Sequence, residues 1–514
     1  MVSRCFLRIA TVASLGGWFG MVLAVGPARA STGRFELTVV DKATGRPVDC
    51  RMHIVGSKNR PFKPDKAICY HDHFIVPGKI VLKIPVGEYG FVIERGPEYL
   101  EQGGNFTIQH FADDVRRIEL QRFVDMAAMG WWSGDLDVRR PVRQIEPLMR
   151  AEDLHVAEVL TWRNDRTVKL PTAPAKDPVV RFDRDRYYQR LAGAWIRPGT
   201  ELLLLNRSNP LKLPAAEGDW PSAMEFLPEA RRGGELWVDV TQPCWWDLPM
   251  LVAAGQVDSI QVAHRRLCRD SSSSDEGGGR PRKLSDYPSP LGNAQWSQFL
   301  YFQLLECGLR IPPSAGSGSG DSPNPVGYNR VYVHVDEPFD YKRWWQSFRE
   351  GHVFVTNGPL MMPLIGGELP GHVFQSETGE PIELAIDLGI STREKISNVE
   401  ILRNGKVDIA VPYETYSKSG QLPKIRFDRS GWLAIRVVTD NPKTYRFAMT
   451  GPYYVEIGGK PRISRSAARF MLDWANQRAE QIQIDDPVQK KAVMEWHRRA
   501  REFWTDVLSK ANAD

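Results

Sequence analysis

Cysteine is scarce and irregularly placed, with six in 514 residues and no Cys-x-x-Cys pair. That excludes a regular disulfide framework, and the scattered thiols read as small buried apolar residues. Charge of one sign is missing as well. The 67 Lys and Arg stand against 62 Asp and Glu, a net +5, which gives no reason to expect nucleic acid or a membrane surface as partner. After the first thirty residues no apolar run is long enough to span a bilayer.

What is present begins with a basic start (Arg4, Arg8), an apolar run from Ile9 to Val25, and Ala28-Arg29-Ala30. The order is that of a secretory signal peptide over residues 1–30, against the alternative of an uncleaved anchor. The expectation is a secreted or periplasmic protein, with cell-surface association left open. Cleavage would lower the net charge to +2 by removing Arg4, Arg8 and Arg29. It would also leave five cysteines, of which Cys50 and Cys69 are placed for a bridge within one domain.

With 42% hydrophobic and 25% charged residues, the remainder has the composition and length of roughly three globular domains. Residues 31–123 alternate short β-prone runs with turn signals, as in Phe35–Val40, Gly45-Arg-Pro47, Ile80–Ile84 and Arg117–Leu120. This predicts a small β-sandwich, and it resembles carboxypeptidase-regulatory or transthyretin-like modules. Residues 124–365 carry apolar strands separated by helical stretches, including a helix over Ala294–Cys307 stopped by Gly308, the pattern of an α/β barrel. Ser271–Gly279 reads as a mobile surface loop. A second β-sandwich is predicted over 366–460. A helical extension over 461–514 follows, whose last helix opens at Asp486-Pro487 and buries Val493, Trp496, Ala500, Phe503 and Val507.

The central region holds a set of frames that are specific together. They are Gly130-Trp-Trp-Ser-Gly-Asp135-Leu-Asp137-Val-Arg139-Arg140-Pro141, Val159-Leu-Thr-Trp-Arg163-Asn164, Val238-Asp239-Val-Thr-Gln242-Pro243 and Leu309–Gly320. Over residues 124–460 this resembles the PHP-type metallohydrolases of the CehA/McbA-like branch. In that family the first frame ends Asp-Leu-His-Val-His, the second Thr-Asp-His-Asn, the third His-Pro and the fourth Gly-Ser-Asp-x-His. Here those places hold Asp137 and Arg139, Trp162-Arg163, Gln242-Pro243 and Gly318-x-Gly320. The resemblance implies a multidomain α/β protein, a PHP-like barrel flanked by two β-sandwiches with helices at the C-terminus. It also implies an ancestral hydrolysis of a phosphoester, ester or amide. Every histidine-bearing element of the metal centre is thus altered, and the arginines at two of these places have no lone pair to give a cation. The activity is expected to be impaired or lost, because a metal-bound hydroxide needs several converging ligands.

The residues left in these frames define two readings. In the first, Asp137, His155 and His264 remain as catalytic candidates. Asp135, Asp137, His155 and Asp239 would then hold at most one oxygen-preferring divalent ion, against a centre with none. Asp135 and Asp137 fall on the same side of a strand and, with Arg139 nearby, suit a charge-paired network left in a former active site better than an ion site. In the second, the protein is a non-catalytic binder. Arg139, Arg140, Arg143 and Arg163, with Gln242 and Trp132, would line the former mouth for an anionic, carbohydrate or other small ligand. Outside the barrel, His71-Asp72-His73 with Cys69 superficially resembles a zinc cluster that lacks a fourth ligand. The doublets Trp131-Trp132, Trp245-Trp246 and Trp344-Trp345 suit packing with one member turned to a pocket.

Overall fold

The computed structural model describes residues 31–57, 59–164, 177–209, 211, 213–232 and 235–514. The expected signal segment 1–30 lies outside them. The chain is sheet-rich, with several sheets and C-terminal helices.

The N-terminal part is built on alternation. In strand Thr32–Asp41 the side chains of Phe35, Leu37 and Val39 point inward, and this strand sits between Lys79–Pro85 and Asp113–Leu120. A five-stranded sheet containing Asp49–Gly56 and Gly87–Glu94 contributes Met52, Ile54, Phe74 and Ile93 to the same core. Cys50 and Cys69 are not bridged. Each carries a free thiol, the first buried in this core and the second donating to the Pro64 carbonyl at 3.4 Å.

The largest sheet has Trp131–Val138 at its centre, buried on both faces throughout. On one side it pairs in parallel with Val156–Arg163, which pairs in parallel with Arg186–Arg197. Beyond these the path runs through Thr200–Leu205, Trp237–Val240 and Ser259–Ala263 to Pro313–Ala315. The expectation of strand–helix alternation fails at Arg186–Arg197 and Thr200–Leu205, which form an antiparallel hairpin. Only Pro198 and Gly199 join them, Gly199 with φ 72°, and a parallel crossover needs a dozen or more residues. The described strands do not close a hydrogen-bonded barrel. Pro313–Ala315 curls back toward Trp131–Val138, and the chain beyond it forms a bridge between Val138 and Ser319.

On the other side of Trp131–Val138 the path continues antiparallel through Arg330–His334 and Val353–Thr356 to Phe447–Thr450, Gly431–Thr439 and Ile396–Arg403. Main-chain pairing therefore runs unbroken across the boundary expected near residue 365. The expected run Ile382–Leu388 divides at Ala385. Ile382–Leu384 pairs with Ile425–Phe427, and Ile386–Ser391 pairs with Leu360–Ile365.

Helix Gly292–Glu306 is buried nearly all round, with Gly308 past its end at φ 78°. Helix Pro487–Ser509 is capped by Asp486, whose carboxylate accepts from the Val488 and Gln489 N–H groups. Val493, Ala500 and Val507 are buried as expected, while Trp496 and Phe503 are only half-buried and the fully buried aromatic of the stripe is Trp504. Ser271–Gly279 is tied down rather than loose. Arg266 pairs with Asp275 at 2.7 Å, Arg282 holds Glu276, and Asn293 donates to the Asp275 carbonyl. No described helix is long and apolar enough to cross a membrane.

Candidate functional site

The C-terminal ends of the central parallel strands converge on a buried cluster of charged groups. Trp131–Val138 delivers Asp137 to this end, and the chain turns immediately after it so that Arg139 folds back. The Arg139 Nε donates to Asp137 Oδ1 at 2.6 Å and Nη2 to Asp137 Oδ2 at 3.0 Å. The same Nη2 reaches Glu201 Oε1 at 2.5 Å, and Nη1 reaches Asp321 Oδ2 at 2.9 Å. One guanidinium thus engages three carboxylates while almost wholly buried. Arg265 takes the other Glu201 oxygen at 2.5 Å, and Arg163 pairs with Asp321.

Burial acts to raise the Glu201 carboxyl, but Arg139, Arg265 and Arg163 overcome it and hold the group below its ordinary range. Asp321 is treated likewise. Burial opposes ionisation, and Arg163 and Arg139 bring its pKa down to about 2. Arg139 itself is held well above its ordinary value, since Asp137 and Glu201 outweigh its desolvation.

Asp135 shares the strand face with Asp137 but takes no part in this pairing. Its carboxylate accepts from the backbone N–H groups of Asp137, Ser317 and Gly327 at 3.0, 3.0 and 2.7 Å. It pins the turn that follows Pro313–Ala315 onto the sheet. Burial lifts its pKa to about 6, with these donors opposing.

Deeper still, Asp239 accepts from Ser259 and Ser314 hydroxyls, each at 2.5 Å, and from Gln261 Nε2 at 2.6 Å. Burial pushes it up to about 7 against those hydrogen bonds, and Asp137 adds a repulsive contribution. A Cβ at Gly316 would lie 2.6 Å from the Asp137 Cβ and 2.7 Å from the Gln261 amide nitrogen. Only glycine lets this strand end pass so close to both.

The remaining candidates are dispersed. His155 and Trp132 belong to the opposite ends of these parallel strands, roughly 15 Å from Asp137 at the usual rise per residue. The His155 Nδ1 meets Ser133 Oγ at 3.0 Å, and its ring stands at right angles to Trp132. Burial, reinforced by Arg186, lowers its pKa to about 3. Asp137 and His155 therefore do not share an ion. Trp132 lies flat on Phe339 at 3.9 Å, which denies that face to a sugar ring. These residues border a cleft of about 460 Å³ that also contains Arg181 and Arg186.

His264 is at the correct end of its strand but buried. Its Nε2 faces Ser297 Oγ at 2.9 Å, and burial lowers its pKa to about 3, with Arg266 and Arg265 adding to the effect. Gln242 is also buried, its amide oxygen turned to Cys244. Arg140 stacks on Tyr70 with its guanidinium 4.1 Å from the ring centre, and Arg143 is exposed on the turn Val142–Gln144.

The His-x-His segment divides too. His71 is exposed, while Asp72 and His73 join His53, whose ligand atoms all lie within 4.8 Å of one another. Arg269 reaches His53 Nε2 at 2.7 Å and Asp72 Oδ2 at 2.6 Å, so a guanidinium already serves this group. In each tryptophan doublet at least one ring is buried, and Trp344 donates to the Trp132 carbonyl.

Sequence reasoning missed Glu201, Arg265 and Asp321. The signals were slight: an acid inside the apolar run Thr200–Leu205, and an acid one residue past the Gly318-x-Gly320 frame.

No family model and no curated protein matches the chain. Among solved structures the Bacillus anthracis TIE protein matches at 18% identity and a TM-score of 0.15, over 22% of this chain and 20% of that one. The match thus spans about a fifth of that protein's length, a likeness too slight to carry an argument.

Proposed function

We propose that the protein is an exported relative of the PHP-type, CehA/McbA-like metallohydrolases in which metal-dependent hydrolysis has been lost. The observation that carries this reading is the seat of Arg139 among Asp137, Glu201 and Asp321. In the family's frame a strand at this point ends in imidazoles that hold divalent ions. Here a permanent side-chain cation occupies the convergence of carboxylates and, with Arg265 and Arg163, satisfies their charge. It cannot polarise a water by coordination, so no hydroxide nucleophile forms there at neutral pH. The imidazoles of His155 and His264 offer no replacement. One is at the far end of the strands, and the other is hydrogen-bonded inside the core.

The same pairing argues against an anionic ligand at this mouth, because Arg139 and Arg163 are already engaged by carboxylates. A binding role is better served by the cleft beside His155, whose volume of about 460 Å³ suits a small molecule.

Turnover tests the reading. Purified full-length protein, supplied with manganese or zinc, should hydrolyse chromogenic phosphodiesters, carboxylic esters and anilides no faster than buffer. Metal-dependent turnover abolished by Asp137→Asn would overturn it.

A further inference from the structure

A second cavity lies where three parts of the chain meet: the N-terminal sheets, the start of strand Arg330–His334, and the loops of the C-terminal sheet. It encloses about 50 Å³, room for roughly three or four water-sized spheres. Five guanidiniums line it, those of Arg51, Arg269, Arg330, Arg393 and Arg446.

Most of these have carboxylates. Arg51 holds Glu94 at 2.6 Å and also Glu152, and Arg446 holds Glu394. Arg269 pairs with Asp72 at 2.6 Å, and Arg393 stands 3.8 Å from Glu94. Arg330 differs. It is 2% exposed and forms no ion pair among the described residues. Its Nε donates to the Gly327 carbonyl at 2.5 Å and its Nη2 to the Glu152 carbonyl at 3.2 Å, while Nη1 has no partner. The Tyr328 hydroxyl, the Arg446 Nε and the Glu394 Oε2, all on residues lining the same cavity, also lack partners; the last is an acceptor, which the hydroxyl of a protonated phosphate can meet and sulfate cannot.

A buried guanidinium without a counter-ion is costly, and an unpaired donor beside it adds to the cost. Both costs vanish if a compact anion sits in the cavity. We propose that this cavity is a binding site for a free tetrahedral oxyanion, inorganic phosphate or sulfate, which completes the junction between the three parts of the chain. The dimensions fit one such ion, and the unpartnered Nη1 of Arg330 offers N–H donors of the kind that oxyanions take. Arg269, Arg393 and Arg446 are each about a fifth exposed and form the way in.

Equilibrium dialysis of the full-length protein against labelled phosphate, at fixed ionic strength in chloride, tests the assignment. One equivalent should bind, and sulfate should displace it. Arg330→Met should abolish binding, and Arg446→Gln, at the rim, should weaken it at least tenfold while leaving the fold intact by circular dichroism. The rim variant keeps the test valid if Arg330→Met does not fold. Arg139→Ala should bind as the wild type does, since its guanidinium belongs to a different cluster. No bound phosphate, or equal binding by wild type and Arg446→Gln, would overturn the proposal. Tighter binding of glycerol phosphate than of inorganic phosphate would overturn the assignment to a free ion.

Discussion

The guanidinium of Arg139, with Arg265 on Glu201 and Arg163 on Asp321, supplies the positive charge that a metal centre would otherwise bring to these three carboxylates, but it leaves no coordination position for water. At the residue scale that exchange accounts for the arrangement around Arg139. Part of it was legible: Asp137 and Arg139 are two apart at a strand end, so proximity follows from the pleat. Glu201 and Asp321 are 62 and 182 residues away from Arg139, and only the curl of the sheet brings them in. Asp239 carries a prediction of its own. Its folded pKa, about 7, lies above the unfolded value of about 3.9. The folded form therefore binds the proton more tightly, and stability contributed by the protonated acid is lost as pH rises from about 4 to 7. Asp135, lifted to about 6, acts in the same direction. Asp239→Asn removes the larger of these slopes. Its melting temperature relative to wild type should be higher at pH 8 than at pH 5, and a pH-independent difference would refute the assignment.

At the scale of elements, a boundary is legible in the sequence where one residue type decides the backbone. Gly308 past Gly292–Glu306 and Asp486-Pro487 at the last helix are of this kind. Strand direction was not legible in the same way. The hairpin at Pro198-Gly199 was masked by the apolar runs on both sides, which suit parallel and antiparallel strands alike. The last helix makes a strong prediction. Trp504 is fully buried, and its Nε1 donates to the Pro249 carbonyl at 3.0 Å, fastening the C-terminus to the central part. Trp504→Ala should lower the unfolding free energy by about 3–5 kcal/mol in urea denaturation. A loss below about 1 kcal/mol would mean that the helix contributes little to the fold.

Over the whole molecule, composition and patterning identified a β-rich N-terminal part, a mixed centre and C-terminal helices, but not how they join. The join near residue 365 is a continuous sheet through Val353–Thr356 and Phe447–Thr450, and the N-terminal part is locked by Arg51 to Glu152 and by Arg95 to Asp153. Limited proteolysis followed by intact-mass measurement should therefore yield no stable fragment ending between about 357 and 366, as these residues lie within paired or buried backbone. Such a fragment would show that the C-terminal sheet is an independent unit. The central claim is that Arg139 stands in place of a metal, and titration with manganese tests it most directly. Arg139→Ala leaves Asp137, Glu201 and Asp321 without their shared cation, and such a loss typically costs about 3–5 kcal/mol. Manganese should raise the melting temperature of that variant, with one equivalent bound by calorimetry, and should leave the wild type unchanged. A stoichiometric, high-affinity ion in the wild type, or no response from the variant, would contradict the account.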